Sequence, residues 1–165
     1  MDVARIRLAT TDDIADLAEL RWHLYTEDQP ADTETGVAYA ERFERFARDA
    51  LRNPDWRIWV ADTTEGMVGS MWRFRVPRVP QPDRGETAPL AYLTNVYVRP
   101  AHREAGLGSR MLHEVIDVSR AEGFSLIMVW PSDRSQPFYG RAGFERLNDP
   151  LVLDLRDESS DRASS

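Results

Sequence analysis

Polar and apolar positions alternate over 5–9 (Arg-Ile-Arg-Leu-Ala), the period of a half-buried strand. The spacing then becomes helical. Ile14, Leu17, Ala18, Leu24 and Tyr25 fall on one stripe that only Arg21 breaks, and Thr10 followed by Asp13 supplies a start signal. This predicts a helix over 12–26, with Trp22, His23 and Tyr25 near its end. After a loop opened by Glu27, a second helix is expected over 34–52, carrying Val37, Ala40, Phe43, Phe46 and Ala47 on one side. Asn53, Pro54 and Asp55 stop it. Strands over 56–61 and 67–76, joined by a turn at 62–66, read as a hairpin whose Trp56, Trp59 and Trp72 serve the core or a dimer face.

Pro77, Pro80 and Pro82 punctuate a loop reaching position 89 and expected to border the site. A strand over 92–98 leads through Pro100 and a glycine-bearing loop to a helix over 106–121, with Leu107, Met111, Val115 and Val118 on one face. Gly123 suits the left-handed residue that closes a helix. The mostly apolar run 124–130 predicts a strand buried on both faces. A short helix over 135–142 and a last strand over 144–155 complete the pattern, and 156–165 is a polar tail. We expect one domain over 1–155, a mixed sheet with helices packed on both faces.

Composition narrows the chemistry. The chain has 165 residues, 42% apolar and 30% charged, as in an ordinary globular protein. No run approaches the ~18 apolar residues of a membrane helix, and the first residues lack a signal-peptide core, so no membrane association and a cytoplasmic location are expected. The net charge of −7 argues against a nucleic-acid partner and is compatible with a cationic substrate. There is no cysteine, which excludes disulfides, thiolate zinc sites and a cysteine nucleophile. The three histidines (His23, His102, His113) are scattered, so no metal site is expected.

Between the strand over 92–98 and the next helix, Arg103, Gly106 and Gly108 stand at R-x-x-G-x-G spacing. A helix leaves its first four N–H groups unpaired and carries partial positive charge at that end, so this loop reads as a phosphate cradle. The glycines let backbone approach a phosphate, and Arg103 and Arg110 add charge. The same glycines also serve a plain reading, helix start and close packing.

The strand followed by Arg103-Glu-Ala-Gly106-Leu-Gly108, and then Pro137-Phe138-Tyr139-Gly140-Arg141-Ala142-Gly143-Phe144, resemble two segments of the GNAT superfamily of acyl-CoA-dependent N-acyltransferases. The opening over 6–13 is common in it too. The resemblance covers most of the chain. It implies an α/β (α+β) fold with a mixed, mostly antiparallel central sheet, and acetyl-CoA as co-substrate. The pantetheine arm would lie beside the 92–98 strand where the 124–130 strand splays from it. Backbone at Val96 and Val98 would bond its amides, and a bulge around Asn95, Val96 and Tyr97 would place the thioester. Arg103, Glu104, Ala105, Gly106, Leu107, Gly108, Ser109 and Arg110 would hold the pyrophosphate. Ser132 stands where many relatives have a cofactor-contacting asparagine.

Tyr139 falls on the family's tyrosine that faces the CoA sulfur, where a phenol of pKa ~10 can donate a hydrogen bond or proton to the departing thiolate. Without cysteine, direct transfer in a ternary complex is expected rather than an acyl-enzyme. Trp22, Tyr25 and Asn95 are the candidate acceptor contacts. The central strand offers Thr94 and Asn95 where many relatives place a glutamate, so the base is unassigned. The expected activity is acetyl transfer to a primary amine of a small molecule or peptide, and dimers are common among such proteins. A non-catalytic acyl-CoA-binding module is the alternative that the missing glutamate raises. Glu27, Asp28, Asp32 and Glu34 form an acidic cluster that would attract an ammonium group or simply be solvated.

Overall fold

In a computed structural model of the chain, residues 3–27, 33–82 and 87–146 are described, without side chains at 33–35. Strand β1 (Arg5–Leu8) pairs antiparallel with β2 (Trp56–Thr63), β2 with β3 (Gly66–Val76) and β3 with β4 (Leu90–Val98), while β5 (Leu126–Met128) pairs parallel with β4. The sheet order follows the chain order. Between β1 and β2 run α1 (Ile14–Thr26) and α2 (Thr33–Arg52); α3 (Leu107–Ala121) connects β4 to β5, and α4 (Gln136–Arg141) follows. The parallel β4–β5 pair requires a crossover, which α3 supplies.

The expected start of α1 is observed. A single 3-10 turn, Thr11–Asp13, precedes it, and the Asp13 carboxylate accepts the Thr10 N–H at 2.7 Å. Arg7 on β1 grips the same carboxylate with two nitrogens, at 2.7 and 2.8 Å, and reaches Asp62 of β2 at 2.6 Å. One guanidinium thus fastens the first strand, the helix start and the second strand.

Two core layers sandwich the sheet. On one face Leu17, Leu20, Phe43 and Ala47 of α1 and α2 pack on Ile58, Val60, Trp72 and Tyr97. On the other, Leu107, Met111, Leu112 and Val115 of α3, with Tyr139 of α4, pack on Trp59, Met71, Leu93 and Val98. Trp59 and Trp72 are therefore core residues, and Trp56 is half-buried between Phe46 and Phe74.

The run 124–130 departs from expectation. Only Leu126–Met128 is strand, and Leu126 and Trp130 are 39% and 64% exposed. The ladder to β4 lasts three pairs, ending at Tyr92↔Met128, because the two strands then diverge. The last strand expected over 144–155 has no counterpart at 144–146, and the rest of it, like the tail over 156–165, lies outside the described residues.

Candidate active site

The divergence of β4 and β5 opens a cleft of about 640 Å³ between the two core layers, within the usual range for small-molecule sites. Its wall is β4 beyond Tyr92. Ser70 of β3 pairs with Tyr97 and Trp72 with Thr94, so Met71 alone faces both Asn95 and Val96. That is a β-bulge at the expected place. Asn95 carries it with φ +48, a conformation asparagine tolerates better than most residues. Its side-chain Oδ1 is buried without a hydrogen-bond partner, in a residue that lines the cleft.

Beyond the bulge, the Arg99 N–H donates to the Val68 carbonyl at 2.8 Å. Alternation along an antiparallel ladder then turns the N–H and C=O of Val98 toward the open side. The Val98 carbonyl is taken there by Arg103 Nε at 2.8 Å, which leaves its N–H facing the cleft.

At the far end stands the N-terminus of α3. Gly106 precedes it with φ +72, a left-handed conformation that glycine adopts without steric cost. The first backbone bond of the helix runs from Arg110 N–H to Gly106 carbonyl. The N–H groups of Leu107, Gly108 and Ser109 thus head the helix without intrahelical partners. A Cβ on Gly108 would stand 3.4 Å from the Phe138 ring, so the glycine brings α3 against α4. Gly108 and Ser109 line the cleft; the Leu107 side chain is core, and Glu104 and Ala105 lie exposed in the preceding turn. Arg110 points elsewhere and donates to the Ala4 carbonyl at 2.8 Å.

Tyr139 lies between the rings of Phe138 and Phe144, at 5.0 and 5.4 Å, and is 5% exposed while lining the cleft. Burial pushes its phenol up to about 12. Ser132, also lining, holds the Ser135 hydroxyl at 3.1 Å. Tyr25 lines the opposite wall, half-exposed. Trp22 is not brought there: it packs on Tyr39 of α2 at 5.5 Å and over Gly36, tying the two helices together. None of the described residues of the proline-punctuated loop lines the cleft.

Glu27, expected either to attract an ammonium group or to be solvated, is instead engaged within the protein: its Oε1 accepts Tyr97 OH at 2.8 Å and Arg103 at 2.5 Å, and its Oε2 meets Arg134 at 3.1 Å. Burial works to raise its pKa, but these hydrogen bonds and the two guanidinium charges outweigh it and hold the carboxyl below the usual range. No local pattern signals this, since its partners are 70 to 107 positions away. Asp28 and Asp32 of the same acidic run lie outside the described residues. Arginines 21, 134 and 141, none of them among the expected site residues, also line the cleft. Among the described residues, no Asp, Glu or His lines it, no group of three is placed to hold a metal ion, and no helix is long and apolar enough to cross a membrane.

Comparison with known proteins places this arrangement. A glucosamine 6-phosphate N-acetyltransferase of Trypanosoma brucei brucei is 28% identical over 150 residues, covering 91% of this chain and 95% of that protein. Among solved structures, a predicted acetyltransferase from Clostridium acetobutylicum, determined with acetyl-CoA, has a TM-score of 0.78 at 20% identity over 93% of this chain and 97% of its own. A Trypanosoma brucei acetyltransferase has a TM-score of 0.67 at 28% identity, over 93% of this chain and all (100%) of its own. The acetyltransferase (GNAT) family is matched over residues 14–144. With that match spanning most of its length, the chain belongs to the acetyltransferase (GNAT) family and is an acyltransferase.

Proposed function

We propose that this protein transfers the acetyl group of acetyl-CoA to a primary amine of a small molecule by direct attack in a ternary complex. The observation that carries the reading is the convergence on one cleft of the α3 N-terminus, the unpaired edge of β4 and the Tyr139 phenol. The residues fit such a co-substrate. The N–H groups of Leu107, Gly108 and Ser109 suit its pyrophosphate, with Arg103 adding charge once released from Glu27. Backbone at Val96 and Val98 suits the amides of the pantetheine arm, and the bulge around Asn95 to Tyr97 would place the acetyl group. Ser132 would contact the arm from the other wall. Glu104, Ala105 and Gly106 set the approach of the loop. Arg110 contributes to its shape through Ala4 rather than by touching phosphate.

The amine nitrogen forms a bond to the thioester carbon as the carbon–sulfur bond breaks, and sulfur leaves with the electron pair. Burial pushes the Tyr139 phenol up to about 12, so it enters the reaction protonated. As general acid it donates a hydrogen bond, and then its proton, to the departing sulfur and regains a proton from water. Asn95 Oδ1, buried and unpartnered, would accept an N–H of the incoming amine. Tyr25 would flank the acceptor, and Trp22 would support it through α2. The amine attacks in its neutral form, and the proton that its nitrogen sheds as the amide forms passes to water, since no carboxylate or imidazole lines the cleft among the described residues.

The test is release of CoA thiol from acetyl-CoA across an amine panel headed by glucosamine 6-phosphate, the compound named for the trypanosome relative. Amine-dependent, saturable release supports the reading. Binding of acetyl-CoA without release from any amine would instead support a non-catalytic acyl-CoA module.

A further inference from the structure

We propose that Arg21 is the anion-recognition residue of the acceptor half of the cleft, so that the preferred acceptor is an amine that also carries a phosphate or carboxylate. The proposal rests on the acetyltransferase reading of the site above. It starts from the one charged residue on the apolar stripe of α1. Arg21 stands at i, i+3 and i+4 with Leu24 and Tyr25, and all three line the cleft.

The other cleft arginines are accounted for. Arg103 and Arg134 share Glu27, and Arg141 is exposed to solvent. Arg21 is partly buried and makes no hydrogen bond or ion pair with any described residue. A guanidinium in the wall of a cleft, met by no carboxylate of the described residues, is a ready site for an anion. Its planar fork of donors matches the oxygens of a carboxylate or phosphate.

The location favours the acceptor over the phosphates of the co-substrate. The phosphate cradle belongs to α3, on one face of the sheet, whereas α1 and α2 cover the other. Arg21 belongs to that other face, and its charge is near enough to Tyr39 of α2 to oppose the burial that raises that phenol. An acceptor entering between α1 and the β4 bulge would therefore present its amine to Asn95 and its anion to Arg21.

Two pairs test this, with every KM expressed as the concentration of neutral amine so that differences in amine pKa cancel: glucosamine 6-phosphate against glucosamine, and glycine against glycinamide. The anionic member of at least one pair should have a KM at least about tenfold lower, as a charge-assisted hydrogen bond provides, and which pair responds tells phosphate from carboxylate. Arg21→Gln should erase that difference while leaving the KM of the neutral amine and the Kd of acetyl-CoA within about twofold. Arg21→Lys should restore part of it. Equal KM values within both pairs for the wild type would overturn the proposal. So would a loss of acetyl-CoA affinity in Arg21→Gln, which would place Arg21 on the co-substrate. Calorimetric binding of the same amines to the CoA-loaded protein separates the two levels of inference. Anion-dependent binding that Arg21→Gln abolishes, without turnover of any amine, supports Arg21 and overturns the catalytic reading. Absence of such binding together with absence of turnover overturns both.

Discussion

Leu93 and Tyr97, four residues apart on one strand, point to opposite faces of the sheet: Leu93 packs with α3, Tyr97 with α1 and α2. A regular strand would put both on the same face. The reversal comes from the two residues, Asn95 and Val96, that Met71 faces alone. It lets β4 seal one core with Leu93 and Val98 and anchor Glu27 through Tyr97, while the bulge turns toward the cleft.

Asn95 should therefore separate fold from function. Asn95→Ala places an ordinary side chain at φ +48 and is expected to cost about 1 kcal/mol, read as a lower urea midpoint. Asn95→Gly relieves the backbone and should retain stability, yet raise the KM for the amine by removing Oδ1. A KM unchanged in both variants would remove Asn95 from the acceptor site.

Tyr139→Phe preserves the ring packed between Phe138 and Phe144 and deletes only the hydroxyl. We expect kcat to fall by about a hundredfold with the Kd of acetyl-CoA nearly unchanged. With Tyr139 pushed up to about 12, no tyrosine ionisation intrudes below pH 9. The pH profile of kcat/KM in the wild type should instead rise with the fraction of neutral amine, its midpoint following the pKa of whichever acceptor is used. A midpoint near 6.5 common to all acceptors would reveal an enzymic base.

Glu27→Gln keeps an oxygen for the Tyr97 hydroxyl but removes the charge that holds Arg103 and Arg134. Acetyl-CoA should bind more tightly, because Arg103 no longer has to leave a carboxylate to meet a phosphate. Isothermal titration at two salt concentrations should also show a steeper salt dependence. Weaker binding would mean that Glu27 positions Arg103 rather than competing for it.

Asp13 governs part of the acid stability. The hydrogen bond from Arg7 holds its carboxyl below the usual range, against the opposing effect of burial. A depressed folded value means stability that is present above the unfolded pKa of ~3.9 and lost as pH falls through the folded one. Asp13→Asn should lower stability at pH 7 by about 2 kcal/mol and flatten the loss below pH 4. Parallel stability curves for the two proteins would show that the Arg7 clamp contributes nothing.

Most elements were legible because local signals mark them: α2 and α3 are amphipathic on their own, and turn or cap residues bound the others. The stripe of Leu107, Met111 and Val115 and the Thr10–Asp13 start signal were read to within a residue or two. The Arg103, Gly106 and Gly108 spacing located a helix N-terminus, since a left-handed glycine is a local requirement of the backbone. Tertiary structure alone decided the rest. The run 124–130 is uniformly apolar, yet its pairing stops at Met128 because the direction of the neighbouring strand, not hydropathy, sets where two strands part. The destination of Glu27 depended on partners far along the chain. Arg21 broke a stripe in the sequence, and only the fold put that break in a cleft. Local spacing fixes what a residue can do, and long-range packing fixes what it meets.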